Sequence, residues 1–146
     1  MAVDVLTEIA IARPRERVAA FACDPDNATA WYVNITSVEW QTPRPLTVGS
    51  RLRFVAQFLG RRLAYTYEVA EIVPGARFVM RTAEGPFAME TTYTFEDAGD
   101  GVTWMSLRNR GEPAGFAKVT APVMAAAMRR ANRKDLAQLK TIVERG

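Results

Sequence analysis

The sequence predicts an α+β domain: a curved antiparallel sheet of about seven strands, two short helices after the first strand, and a long C-terminal helix laid over the sheet to enclose a cavity. Three observations predict it. From Ile35 to Arg110 apolar and polar residues alternate with the period of two that marks half-buried strands. From Phe116 to Arg145 the period is helical instead. At about 100° per residue, Met124, Met128, Ala131, Leu139, Ile142 and Val143 share one stripe, with Arg129, Arg130, Arg133, Ala137, Lys140 and Glu144 opposite. Finally, one helix cannot fill the inside of a curled sheet of that size, so some interior is left over.

Val3 to Arg13 alternates, with Val5, Thr7, Ile9 and Ile11 on one face, and reads as the first strand. Pro14 suits the first turn of a helix, and Arg15 to Cys23 supplies Val18, Phe21 and Ala22 for its buried side. Asp24-Pro25-Asp26 ends that helix and starts another, because Asp is a good N-cap and Pro a good first helical residue. The second short helix carries Ala28, Trp31 and Tyr32.

Ile35 to Thr42 is a strand with Val38 and Trp40 on one face, and Pro43-Arg44-Pro45 a loop. A two-residue turn at Gly60-Arg61 is then expected to set Phe58 opposite Leu63, Ala56 opposite Tyr65, Phe54 opposite Tyr67 and Leu52 opposite Val69. On the other face Arg53 meets Glu68, and Arg51, Gln57 and Arg62 meet solvent. Pro74-Gly75 leads into Arg77 to Glu84, with Phe78, Met80 and Thr82 inward. Gly85-Pro86 turns the chain back, pairing Thr82 with Met89, Met80 with Thr91 and Phe78 with Tyr93. After a turn at Ala98-Gly99-Asp100-Gly101, Val102 to Arg110 points either Thr103, Met105 and Leu107 inward or Trp104 and Ser106; the first set is preferred. Glu112-Pro113 closes the sheet. Pro122 either kinks the long helix or marks where its regular part starts.

At 146 residues and 16.2 kDa, residues 1–146 read as one domain with room for a real core. The net charge is +3, with arginines scattered over strands and helix, which describes a solvated basic surface and no nucleic-acid partner. One cysteine, Cys23, allows no internal disulfide and no paired-cysteine metal site. Histidine is absent altogether. That removes Ser-His and Cys-His nucleophiles, the usual general base near neutral pH, and most zinc and iron sites. No metal and no cofactor are expected. Met1 to Glu8 shows no basic region followed by an apolar run, and no stretch approaches the roughly 18 apolar residues of a membrane span. Asn27-Ala-Thr29 and Asn34-Ile-Thr36 then read as chance matches to the glycosylation pattern, and the expected setting is cytoplasmic, without integral membrane association.

Three segments carry a resemblance: Ile9-Ala-Ile-Ala-Arg-Pro-Arg-Glu-Arg-Val-Ala-Ala-Phe21, Asp24-Pro-Asp-Asn-Ala-Thr-Ala-Trp31 and Asp135-Leu-Ala-Gln-Leu-Lys140. Over essentially its whole length the chain resembles the helix-grip fold of the START-like (SRPBCC) superfamily, more narrowly its polyketide cyclase/dehydrase-like members. These motifs mark packing positions, so they speak for fold rather than function. The resemblance implies a hydrophobic cavity between sheet and C-terminal helix, used in relatives for lipids, sterols, polyketides or other apolar molecules. A few relatives catalyse cyclisation or dehydration.

The inward set Phe54, Tyr65, Tyr67, Met80, Met89, Thr91, Tyr93, Met105, Met124 and Met128 combines adaptable methionines with aromatics and hydroxyls. A ligand pocket needs that combination, mostly apolar with few orienting polar groups; the plain alternative is a dry core. The resemblance also implies that Trp31 lines the cavity, against the alternative of clamping the short helices to the sheet. Asp135 falls inside the apolar stripe near Asn132. A buried carboxylate needs partners, so it is expected to accept hydrogen bonds from backbone amides or a tyrosine and fix the helix, the alternative being a general acid or base of raised pKa. Glu68 and Glu90 face outward, and Cys23 packs in the first helix. No catalytic residue is assigned.

The first functional reading is binding or carriage of a small hydrophobic, lipid- or polyketide-like ligand, without catalysis. The second is a histidine-independent cyclase or dehydratase. The third is a protein-interaction module using the basic helix face of Arg129, Arg130 and Arg133.

Overall fold

The alternation of the first residues folds as strand β1 (Val3–Ile11), whose Val3, Val5, Thr7 and Ile11 are buried while Asp4, Leu6 and Glu8 are exposed. The computed structural model describes residues 3–85, 88–112 and 121–146. Helix α1 (Arg15–Ala22) follows, with Pro14 at its N-cap, one residue before the predicted place. Asp24 caps the next turn by accepting from the amide of Asp26, with Pro25 in the first helical position. A 3-10 turn (Pro25–Asn27) then runs into the short helix α2 (Ala28–Trp31).

Six consecutive strands come next: β2 (Ile35–Trp40), β3 (Arg51–Phe58), β4 (Arg61–Val73), β5 (Arg77–Glu84), β6 (Met89–Gly99) and β7 (Val102–Gly111). With β1 they form one antiparallel seven-stranded sheet in the order β1-β7-β6-β5-β4-β3-β2. The sheet curls into a half-barrel, and helix α3 (Ala121–Arg145) packs across it: an α+β helix-grip fold. The predicted helix start at Phe116, and Pro86 and Pro113 of the predicted turns, lie outside the described residues. Pro122 sits in the first turn of α3, where its missing N–H costs nothing.

The registers of β5 with β6 and of β6 with β7 agree with expectation: Phe78 pairs with Tyr93, Met80 with Thr91, and Thr103, Met105 and Leu107 are buried. The β3–β4 register differs by two residues. Phe58 pairs with Arg61, Ala56 with Leu63, Phe54 with Tyr65 and Leu52 with Tyr67, because the turn is Leu59-Gly60. Both turn residues have positive φ, 50° and 75°, which a two-residue turn of the mirror-image type requires. The same slip gives Glu68 to Arg51, at 3.0 Å, rather than to Arg53. A slip of two keeps every side chain on its expected face.

Two apolar clusters organise the inside. One joins α1, α2 and the sheet to the second half of α3 through Leu136, Leu139 and Val143. The other joins Val3, Val5, Leu63, Tyr65 and Met89 to Met124 and Met128 in the first half of α3. At the end of β7, a side chain on Gly111 would strike Met89 Sδ and the carbonyl oxygen of Ala88, so only glycine lets the two strands meet there. The C-terminal half of α3 is tied to the end of β1: Lys140 donates to the carbonyl of Ala10 at 3.0 Å, Glu144 accepts from the amide of Ala12 at 2.7 Å, and Arg13 donates to the carbonyl of Glu144.

Candidate cavity between sheet and helix

Between Met124 and Asp135, α3 and the curled sheet do not meet everywhere. A cavity of about 170 Å³ remains. Since a buried water needs about 10–15 Å³ of such space, there is room for on the order of ten waters, and no ordinary packing defect has that size.

Three elements wall it. Helix α3 contributes Met124, Met128, Ala131, Asn132 and Asp135, at the spacings of three and four that place residues on one helix face. The elbow formed by α1 and α2 contributes Ala22, Cys23, Asp24, Pro25, Ala28 and Tyr32, and the stretch after it Asn34 and Ile35. The sheet contributes Phe54, Ala56, Phe58, Leu63, Tyr65, Tyr67, Phe78, Met80, Met89, Thr91, Tyr93 and Asn109. Among the described residues, no arginine, lysine or histidine lines it.

The polar groups are few. The hydroxyls of Tyr32 and Tyr93 are hydrogen-bonded at 2.5 Å, tying α2 to β6. Thr91 donates to Asn109 Oδ1 at 2.9 Å and is hydrogen-bonded with Tyr67. Asp135, 2% exposed, accepts from the amide of Val33 at 2.9 Å. Burial raises its pKa from 3.8 to about 7 against the opposing effect of that amide. Asn132 is 6% exposed and its Nδ2 has no hydrogen-bond partner among the described residues. Burial also pushes the phenols of Tyr32, Tyr65 and Tyr93 upward and that of Tyr67 to about 12, so all four are neutral hydrogen-bonding groups at physiological pH. The Cys23 thiol is pushed to about 12 by burial, which makes it a packing group rather than a nucleophile.

Of the eleven residues singled out from the sequence, Phe54, Tyr65, Tyr67, Met80, Met89, Thr91, Tyr93, Met124 and Met128 are brought together in this wall. Trp31 and Met105 are not. Trp31 is fully buried beside the wall, its ring 4.0 Å from that of Tyr32 and 5.7 Å from that of Tyr93, so it backs two lining tyrosines. Met105, also fully buried, pairs with Ile9 and Phe95 in the core.

Sequence reasoning did not assign Tyr32, Asn109 or Asn132 to the cavity. Asn109 had a signal: it continues the inward series Thr103, Met105, Leu107 by one step. Asn132 had one too, since it lies one turn before Asp135 on the same face. Glu68 and Glu90 face outward as expected, paired with Arg51 and Arg81. Arg130 and Arg133 are exposed on the far side of α3. Among the described residues no cluster of acidic or sulfur side chains could hold a metal ion, and no helix is long and apolar enough to cross a membrane.

A family model described as polyketide cyclase / dehydrase and lipid transport matches residues 2–144. No curated protein matches the sequence. Among solved structures, a protein of Thermus thermophilus is 24% identical with a TM-score of 0.82 over 96% of each chain. A START superfamily protein of Mycobacterium smegmatis is 15% identical with a TM-score of 0.84 over 97% of each. The Zhui aromatase/cyclase of Streptomyces sp. R1128 is 17% identical with a TM-score of 0.83, over 99% of this chain and 95% of its own. At these identities the likeness is one of fold.

Proposed function

Because the chain belongs to the polyketide cyclase/dehydrase and lipid transport family, we propose that it binds or carries a small hydrophobic molecule in the cavity between its sheet and α3. The observation that carries this reading is the wall itself. It is aliphatic, aromatic and methionine-rich, with only a few hydroxyl, amide and carboxyl groups to orient a ligand, the usual make-up of a small-molecule site. At about 170 Å³ the space is smaller than most such sites, which suits a small molecule. The expected setting is the cytoplasm, where a lone cysteine remains reduced.

Native mass spectrometry of the purified protein, followed by denaturing extraction, tests this. An apolar molecule at one equivalent is expected. The Ala56→Trp variant, which puts an indole into the cavity from β3, should lose it while keeping its fold. A clean apo mass, together with no thermal shift from fatty acids, sterols and aromatic polyketides, would sink the reading.

One observation favours a second reading, a dehydratase or cyclase. Asp135 titrates near 7, the range of a useful general acid or base, and acts electrostatically on both Tyr32 and Tyr93. Loss of water from a β-hydroxyketone is then expected to follow a group near pH 7 and to fall by about 10²–10⁴ in Asp135→Asn. Turnover that is absent, or unchanged in the variant, excludes it.

A further inference from the structure

The polar groups of the cavity are not spread evenly. Along α3, Met124 and Met128 face Leu63 and Met89 in one cluster, whereas Asn132 and Asp135 lie further along the same face. With a rise of 1.5 Å per residue, Met124 and Asp135 are about 16 Å apart along the helix. On its α3 side the cavity therefore has an apolar end and a polar end, while Tyr65, Thr91 and Asn109 supply polar groups from the sheet.

At the polar end two groups have hydrogen-bonding capacity to spare. Asn132 Nδ2 is buried without a partner among the described residues, and leaving such a donor unmet is costly. The only hydrogen bond to Asp135 among the described residues is the one from the Val33 amide to Oδ1, which leaves its second oxygen for a ligand. The charge balance of the wall then restricts what can sit there. With no arginine or lysine among the described lining residues, and no histidine in the chain, a ligand carboxylate or phosphate would be buried beside Asp135 with no cation among them to offset it. An ammonium group would suit Asp135 but offers no acceptor for Asn132 Nδ2.

Resting on the binding reading above, we propose that the cavity selects an elongated ligand with an uncharged head carrying a hydrogen-bond acceptor and a donor side by side, such as a primary amide, a hydroxyketone or an enolised diketone. Asn132 Nδ2 donates to the head's carbonyl oxygen, Asp135 takes its N–H or O–H, and the apolar tail runs toward Met124 and Met128. Anionic fatty acids are the ligands it turns away.

The test is calorimetry at pH 8 with three probes of one shape: 2-naphthamide, 2-naphthoate and 2-ethylnaphthalene. The amide is expected to bind at least tenfold more tightly than the carboxylate. Asn132→Leu, which removes the unmet donor at similar volume, should cost the amide about tenfold while leaving 2-ethylnaphthalene as tight or tighter; Asn132→Ala serves if the leucine variant melts early. Carboxylate binding as tight as the amide's, or amide affinity unchanged in the Asn132 variants, overturns the neutral-head assignment and leaves apolar binding standing. Failure of all three probes, the purely apolar one included, overturns both.

Discussion

Trp31→Ala is expected to lower the midpoint of thermal unfolding by about 10–15 °C. The side chain is fully buried and packs on the rings of Tyr32 and Tyr93. Truncating a buried tryptophan to alanine costs about 3–5 kcal/mol, and in a domain of this size each kcal/mol moves the midpoint by about 2–4 °C. Trp31→Phe should cost far less, since the indole N–H it removes has no partner to lose. Differential scanning calorimetry on both variants distinguishes a clamp from a ligand contact. A drop under about 5 °C for the alanine variant, accompanied by loss of ligand affinity, would mean that the ring serves the ligand rather than the elbow.

Asp135→Asn should raise stability at pH 8 by about 1–3 kcal/mol and flatten its pH dependence. The folded pKa is raised from 3.8 to about 7, so between those values the folded state holds a proton that the unfolded state has released. Stability of the native sequence therefore falls as pH rises from about 4 to 7. It is level above 7, where the carboxylate is charged in both states, and level with respect to this group below about 4. A rise of that size corresponds to an upper limit of about 4 kcal/mol. Asparagine keeps an acceptor for the Val33 amide and removes the charge, but buries an amide, so only part of that limit is recovered. Melting curves of both proteins from pH 4 to 8.5 check it. Parallel curves would show that Asp135 is not the group responsible.

What the sequence revealed and what it hid follow from the range of the forces involved. Side-chain alternation is local, and the inward faces of β1, β5 and β6 were legible, as was the stripe on α3, while β7 was left between two faces with the observed one preferred. Alternation has period two, however, so it cannot detect a slip of two residues. Only the Leu59-Gly60 turn decides the β3–β4 register, and a leucine at φ 50° is a poor advertisement for a turn. The site was legible in part for the same reason. Knowing that Tyr65 and Met124 point inward does not say whether another atom fills the space between them. Trp31 and Met105 point inward as expected and are met by other side chains; Asn132 points inward, and its Nδ2 finds no hydrogen-bond partner among the described residues. That distinction belongs to the curvature of the sheet, which no single strand encodes.

The ties of α3 to the sheet are unequal along its length. Leucines, Val143 and the bonds from Lys140 and Glu144 hold its second half, and its first half rests on two methionines above the cavity. Mechanically, among the described residues, this is a beam gripped more stiffly at its C-terminal end. Thioethers repack around objects of different outline more readily than branched side chains do, so the methionine-borne span is the more compliant part of the container. Asn132 and Asp135 stand close to the stiffly gripped end. A molecule bound as proposed would keep its head in one place, while variation in the length or breadth of its tail would be absorbed by deflection of the beam.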